Sequence, residues 1–163
     1  MDLVTVLQNA QSPNFDVRSE AEKHLNQAIE AQYGPFLLAL VAELATEGKP
    51  NDTRQLAGLY IKNLITAQDA NLLEQKVNKW LECDNGVKDQ IRMGFLQALL
   101  SPVDVVSHTT AQILAAYGAV DVQRSAWPSL LPALLNNVAS DSVPARPKVS
   151  SLEALGYVLR TWV

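Results

Sequence analysis

The sequence predicts an all-α fold: a solenoid of antiparallel helix pairs stacked side by side. Three observations predict it. Apolar residues recur at steps of three and four along almost the whole chain, the period of one helix face. No convincing run of β-branched residues alternates with period two, so strands are not expected. The helical stretches also come in pairs. The second member of each begins near Val17, Thr53, Val105 and Arg146, roughly 36, 52 and 41 residues apart.

The first helix is expected over Asp2 to Ala10, with Leu3, Val6, Leu7 and Ala10 on one stripe. Ser12-Pro13-Asn14 ends it. Asp16 is a suitable N-cap for a second helix to about Gln32, because a short carboxylate can accept from the open backbone amides. Its stripe is Val17, Ala21, Leu25, Ala28 and Ile29, and its other face carries Arg18, Glu20, Glu22, Lys23 and Glu30. Gly34-Pro35 turns the chain into a strongly apolar helix reaching about Thr46, with Pro35 suited to a first turn. Gly48-Lys49-Pro50-Asn51 breaks it, and Asp52 is expected to cap a helix carrying Leu56, Leu59, Tyr60, Leu64 and Ile65.

A shorter helix over Ala70 to Glu82 places Leu73, Val77, Trp80 and Leu81 on one side, and this extra segment accounts for the longest gap. Asp84-Asn85-Gly86 is a further breaker, followed by Val87, Ile91, Phe95, Ala98 and Leu99 at helical spacing. Ser101-Pro102 opens a helix to about Ala119 with Val106, Ala111, Ile113, Leu114 and Tyr117, and Val120-Asp121-Val122 is expected to leave it. Trp127 to Asn137 is helical, and Pro132 either kinks it or falls in a late first turn. A loop over Ala139 to Pro147 leads to a last helix from about Lys148 to Trp162.

Helix pairs at roughly 40–47 residues mark HEAT or armadillo solenoids. No single pair can bury its own stripe, but stacked pairs share one continuous core. The expected repeats are 1–32, 33–68 with a linker helix 70–82, 84–120 and 123–163. A compact bundle would use the same stripes. A tetratricopeptide array would need a shorter and stricter period of about 34 residues.

Composition excludes several functions. The 163 residues are 48% apolar and 18% charged, enough to bury a core and too apolar for a disordered chain. A net charge of −4 with an isoelectric point near 5.1 argues against nucleic acid, which calls for a basic face. The lone Cys83 cannot form an intrachain disulfide. With no basic region ahead of an apolar stretch after Met1-Asp2-Leu3, it favours a reducing compartment. The most apolar window, Phe36 to Ala45, is interrupted by Glu43 and too short to cross a membrane.

No enzyme, cofactor or metal is expected either. Phosphate-binding glycine motifs are missing. His24 and His108 are far apart and form no metal pattern with Cys83. Ser107 and His108 are neighbours on one helix, so their side chains diverge by about 100°, a poor arrangement for a nucleophile and its base.

Four blocks carry a family resemblance. Leu56-Ala57-Gly58-Leu59-Tyr60-Ile61-Lys62-Asn63 resembles the LAGLxxKN segment of the importin-β N-terminal domain. Lys79-Trp80-Leu81 resembles its RWL segment, Ala126 to Pro132 its WPELIPxL helix, and Leu152 to Val158 its LEALGYI helix. The blocks come in the family's order and spacing. Ser129 stands where glutamate is usual, Lys79 replaces arginine, and Arg160-Thr161-Trp162-Val163 departs from the usual acidic ending.

The resemblance implies a HEAT superhelix that carries cargo through nuclear pores between cytoplasm and nucleus. It implies that the first repeats bind the small GTPase Ran in its GTP form, and that this releases cargo. The γ-phosphate orders Ran's switch loops, and only the ordered form fits. Importin-α, cargo and FG nucleoporins are expected to bind mostly beyond this segment. The chain's ending inside a helix fits a fragment of a longer solenoid, with Trp162 stripped of its cover.

In such solenoids the second helices line the partner-facing surface, which makes Lys62, Asn63, Arg18, Glu22, Gln112 and Glu153 candidate Ran contacts. Each has a plainer alternative. Lys62 would be a solvated lysine and Asn63 a buried amide bonded to backbone. Arg18 and Glu22, four apart on one face, would pair with each other. Gln112 would seal a packing seam, and Glu153 carries the same two readings. Trp80, Trp127, Phe95 and Tyr157 are expected in the core.

Overall fold

The computed structural model describes residues 2–160. Among them the chain forms α1 (Leu3–Asn9), α2 (Phe15–Ala31), α3 (Tyr33–Ala45), α4 (Asn51–Asn63), α5 (Ala70–Glu82), α6 (Asn85–Leu99), α7 (Asp104–Val122), α8 (Leu130–Ala139) and α9 (Ala145–Arg160), and no strand. Trp162 lies outside the described residues.

Helices α1 and α2, α3 and α4, α6 and α7, and α8 and α9 pack as pairs. Neighbouring pairs then stack, α3 on α6, α4 on α7 and α7 on α9. A bundle would bring all helices around one centre, whereas here packing passes from each pair to the next. This is the HEAT solenoid that the repeat spacing predicts.

Helix starts lie nearer the breakers than the sequence suggests. Asn14, not Asp16, caps α2, accepting from the Asp16 and Val17 amides at 3.0 and 3.2 Å. An asparagine can cap as well as an aspartate, and Asp16 then falls in the first turn, favourable to the helix dipole. Asp52 likewise sits inside α4, which begins at Asn51 after Pro50. Asp84 caps α6 through the Val87 amide, so Asn85-Gly86 opens that helix and does not break the chain. Pro35, Pro132 and Pro147 each occupy the third position of their helix, where the amide they lack has no intrahelical partner, so none makes a kink.

Helix α7 runs to Val122, one turn past its expected end, and so carries Asp121 inside it. That turn is held by a buried network. The Asp121 carboxylate is fully buried and accepts from the Trp80 indole at 2.9 Å and from Nε and Nη2 of Arg92 at 3.0 Å each. Trp80 packs edge-on against Tyr117, and the Arg92 guanidinium lies over the Trp80 and Trp127 rings. One carboxylate therefore joins α5, α6 and α7.

Helix α5 depends on this anchor. Trp80 is fully buried, but Leu73, expected on its inner side, is exposed with Leu72. Lys76 reinforces the attachment by donating to the free carbonyls of Asn63 and Thr66 at the end of α4, at 2.6 and 2.9 Å. Lys79 pairs with Glu30 on α2.

A second buried cation, Arg54, closes the α3–α4 turn. Its Nε donates to the Leu44 carbonyl at 2.9 Å and its two terminal nitrogens grip Glu47 at 2.9 and 2.8 Å. Those hydrogen bonds hold the Glu47 carboxyl below its usual range. A further bond to Ser101 Oγ reaches the next pair.

Glycines set the spacing between pairs. A Cβ on Gly58 of α4 would lie 2.7 Å from Thr109 Cγ2 of α7, closer than real contacts allow. Gly94 of α6 meets Val41 of α3 even more tightly. Of the aromatics expected in the core, Trp80, Trp127 and Phe95 are buried, while Tyr157 is half-buried beneath Arg160.

Gly58→Ala is expected to destabilise the fold by about 1–3 kcal/mol through overpacking, and Thr109→Ser to recover part of that loss in the double variant; thermal unfolding of the three proteins checks this. Asp121→Ala strands a buried guanidinium and an indole N–H, and denaturant unfolding should show a loss of about 3–5 kcal/mol.

Candidate functional site

The second helices α4, α7 and α9 lie side by side, so their solvent-facing residues form one continuous strip. A chain of polar side chains crosses this strip. Lys62 Nζ on α4 donates to Gln112 Oε1 on α7 at 3.1 Å. Gln112 Nε2 lies 3.2 Å from His108 Nε2, one turn back on the same helix. His108 Nδ1 lies 3.1 Å from Glu153 Oε2 on α9. The structure thus joins Lys62, Gln112 and Glu153 through His108, across three consecutive pairs.

The hydrogen-bond directions are mutually consistent. An ammonium only donates, so Lys62 fixes the oxygen of the Gln112 amide toward itself. The amide NH₂ then points at His108, whose Nε2 must accept. With Nε2 accepting, the proton of a neutral imidazole sits on Nδ1 and is donated to the Glu153 carboxylate. A parallel link lies one turn earlier, where Arg146 Nε on α9 pairs with Asp104 on α7 at 3.3 Å.

Local packing explains why these residues meet. Gly58 brings α4 and α7 into close approach, and Lys62 lies one helical turn beyond it on the same face. Ala111, Ile113 and Leu114 are buried around Gln112, which leaves its amide directed out along the seam. Ser107, adjacent to His108, points inward and donates to the Val103 and Asp104 carbonyls at 3.3 and 3.2 Å, away from the imidazole.

The remaining candidates separate. Asn63 is exposed, which removes the buried-amide reading; its backbone carbonyl, not its side chain, is engaged, by Lys76. Arg18 does not pair with Glu22. It turns back to donate to the Ser12 carbonyl at 2.9 Å and lies over the Phe15 ring, because the α1–α2 turn offers an open carbonyl and an exposed aromatic surface within reach. Glu22 is exposed and faces α4: burial and then the Glu22 charge push the Tyr60 phenol up to about 12. Asn63 therefore lies beside Lys62 at the end of α4, Glu22 acts on Tyr60 of the same helix, and Arg18 belongs to the first turn.

His108 is the member of this line that neither a catalytic nor a metal-ligand pattern singles out in the sequence. Its spacing of four from Gln112 was the available signal, for such residues share a helix face. Among the described residues no group of three or more histidine, cysteine or acidic side chains could hold a metal ion, and no helix is long and apolar enough to cross a membrane.

Comparison with known proteins places this architecture. Residues 21–101 match the family described as the importin-beta N-terminal domain. Importin subunit beta-1 of Arabidopsis thaliana is 39% identical over 158 residues, 97% of this chain. The chain spans 18% of that relative's length. A crystal structure of importin beta superposes on the whole chain with a TM-score of 0.92 at 30% identity, the chain covering 19% of it. A structure in which Kap95p binding induces the switch loops of RanGDP to adopt the GTP-bound conformation matches 95% of the chain and 18% of its own, with a TM-score of 0.86 at 27% identity.

Proposed function

Because the chain belongs to the importin-β family, we propose that it serves a nuclear import receptor as a Ran-binding region, engaging Ran through the solvent face of its second helices. The receptor would work between cytoplasm and nucleus at the pore and would bind without catalysing. Binding of GTP-loaded Ran would be coupled to release of cargo carried by other repeats.

The observation that carries this reading is the polar strip itself. Lys62, from one of the four blocks that resemble the family, heads a line of side chains running from α4 through α7 to α9. Such a strip offers a charged donor, an amide, an imidazole and a carboxylate over three consecutive repeats. A folded protein surface fits that better than a small ligand does, because the groups are spread along a line and do not converge on a point. The likeness to Kap95p, whose binding acts on Ran's switch loops, supports the choice of partner.

State selectivity follows from differential affinity. A receptor that contacts ordered switch loops binds the GTP form more tightly without touching the nucleotide, since only the ordered loops offer the matching surface. Exposed Asn63, next to Lys62 on α4, and exposed Glu22 on α2 offer further polar groups for such a partner.

A pull-down with the full chain should capture Ran loaded with GTP in preference to Ran loaded with GDP. Equal capture of both forms, or of neither, would sink the proposal. Lys62→Ala should weaken that capture while costing less than about 1 kcal/mol in thermal stability, because its bond to Gln112 is partly solvated. A large fall in melting temperature would instead make the lysine structural.

A further inference from the structure

We propose that His108 is a proton-operated switch on Lys62, acting through the Gln112 amide. The inference rests on the reading of this strip as a partner-binding face only for its consequence in binding; the switch itself stands on geometry.

The relay has one arrangement with a neutral imidazole. Lys62 donates to Gln112 Oε1, Gln112 donates to His108 Nε2, and His108 donates to Glu153. Each contact has one donor and one acceptor. Protonating His108 places a hydrogen on Nε2, which then faces the Gln112 NH₂, donor against donor. Rotating the amide by half a turn cures that clash by presenting Oε1 to the imidazolium. The same rotation turns the NH₂ toward the Lys62 ammonium, which has no acceptor capacity. Lys62 therefore loses its partner on α7 and is released into solvent. A single proton on α7 changes the freedom of a side chain on α4.

Charged groups face His108 from α9 and from α4. From α9, Glu153 accepts from Nδ1 in either protonation state, while Arg146 is held by Asp104 one turn from His108. From α4 the ionisable group facing the relay is Lys62 itself. Helix α6 meets α7 on the buried side, where Phe95 packs on Tyr117 and Arg92 pairs with Asp121. The imidazole side chain is 47% exposed, so protons reach it freely. An imidazole is also the side chain suited to changing charge between about pH 5 and 8.

The test uses His108→Gln, whose neutral amide can donate to Glu153 and accept from Gln112, fixing the first arrangement. In the wild-type chain the Gln112 side-chain NH₂ signals in a ¹H–¹⁵N NMR spectrum, assigned by their loss in Gln112→Met, should move along the His108 ring titration. In His108→Gln they should stay still over the same range. Wild-type signals that do not follow the ring, or that move equally in the variant, overturn the switch. In the binding arm, the ratio of GTP-loaded Ran captured at about pH 6 to that captured at about pH 7.5 should be about two- to five-fold higher for wild type than for His108→Gln, the range of one solvent-exposed ion pair. Equal ratios overturn the link to binding. Moving NMR signals with no Ran captured at either pH support the switch and overturn the proposed function.

Discussion

The Asp121 carboxylate sits near the C-terminal end of α7, where the helix dipole disfavours negative charge, and it is fully buried there. It is tolerable only because Arg92 and the Trp80 indole meet it together. That requirement organises much of the molecule. Trp80 must enter the core, so α5 is drawn against α7 although most of its own surface stays exposed. Once α5 is placed, Lys76 reaches the Asn63 carbonyl that ends α4 and the Thr66 carbonyl just after it, and Lys79 reaches Glu30 of α2. The end of α4 that presents Lys62 and Asn63 is thus held by a helix whose own position depends on Asp121. Tyr117, packed edge-on against Trp80, reaches the same end through its bond to the Ile61 carbonyl at 2.8 Å.

The family block around Gly58 acquires a physical meaning from the same packing. Arg54 locks the start of α4 to the end of α3, Gly58 allows α7 to come close, and Lys62 follows one turn later, where the two helices are still within side-chain reach. Each residue acts at a successive turn along one helix. The spacing between repeats and the reach of the polar strip are consequently one property. If a larger side chain at position 58 pushed α4 and α7 apart, Lys62 would no longer meet Gln112.

The fold was largely legible in the chain, and the reasons for the exceptions are local. Stripes such as Ala21–Leu25–Ile29 and Ile91–Phe95–Ala98 define helices because burying one face dominates their energetics. The starts of α2 and α4 were displaced because asparagine and proline compete with aspartate as boundary residues, and sequence alone does not rank them. Val120-Asp121-Val122 is expected to leave the helix, and it is the distant Arg92 and Trp80 together that make the buried charge compatible with it. In the candidate strip, Lys62, Gln112 and Glu153 were visible as polar residues on second helices. Arg18 departs from the expected pairing with Glu22 because its partner is a backbone carbonyl in the preceding turn, which side-chain spacing cannot show.

The sequence by itself determined the helices, their pairing and the family, since periodicity and short blocks are properties of neighbours along a chain. The tertiary structure alone decided which of those neighbours touch across repeats. Residues 62, 112, 108 and 153 come from three helices, and their contact depends on how far apart those helices pack and how they are rotated. Between α4 and α7 the approach is set by Gly58 against Thr109, and between α7 and α9 by Gly118 against Val158, interactions that no single helix contains.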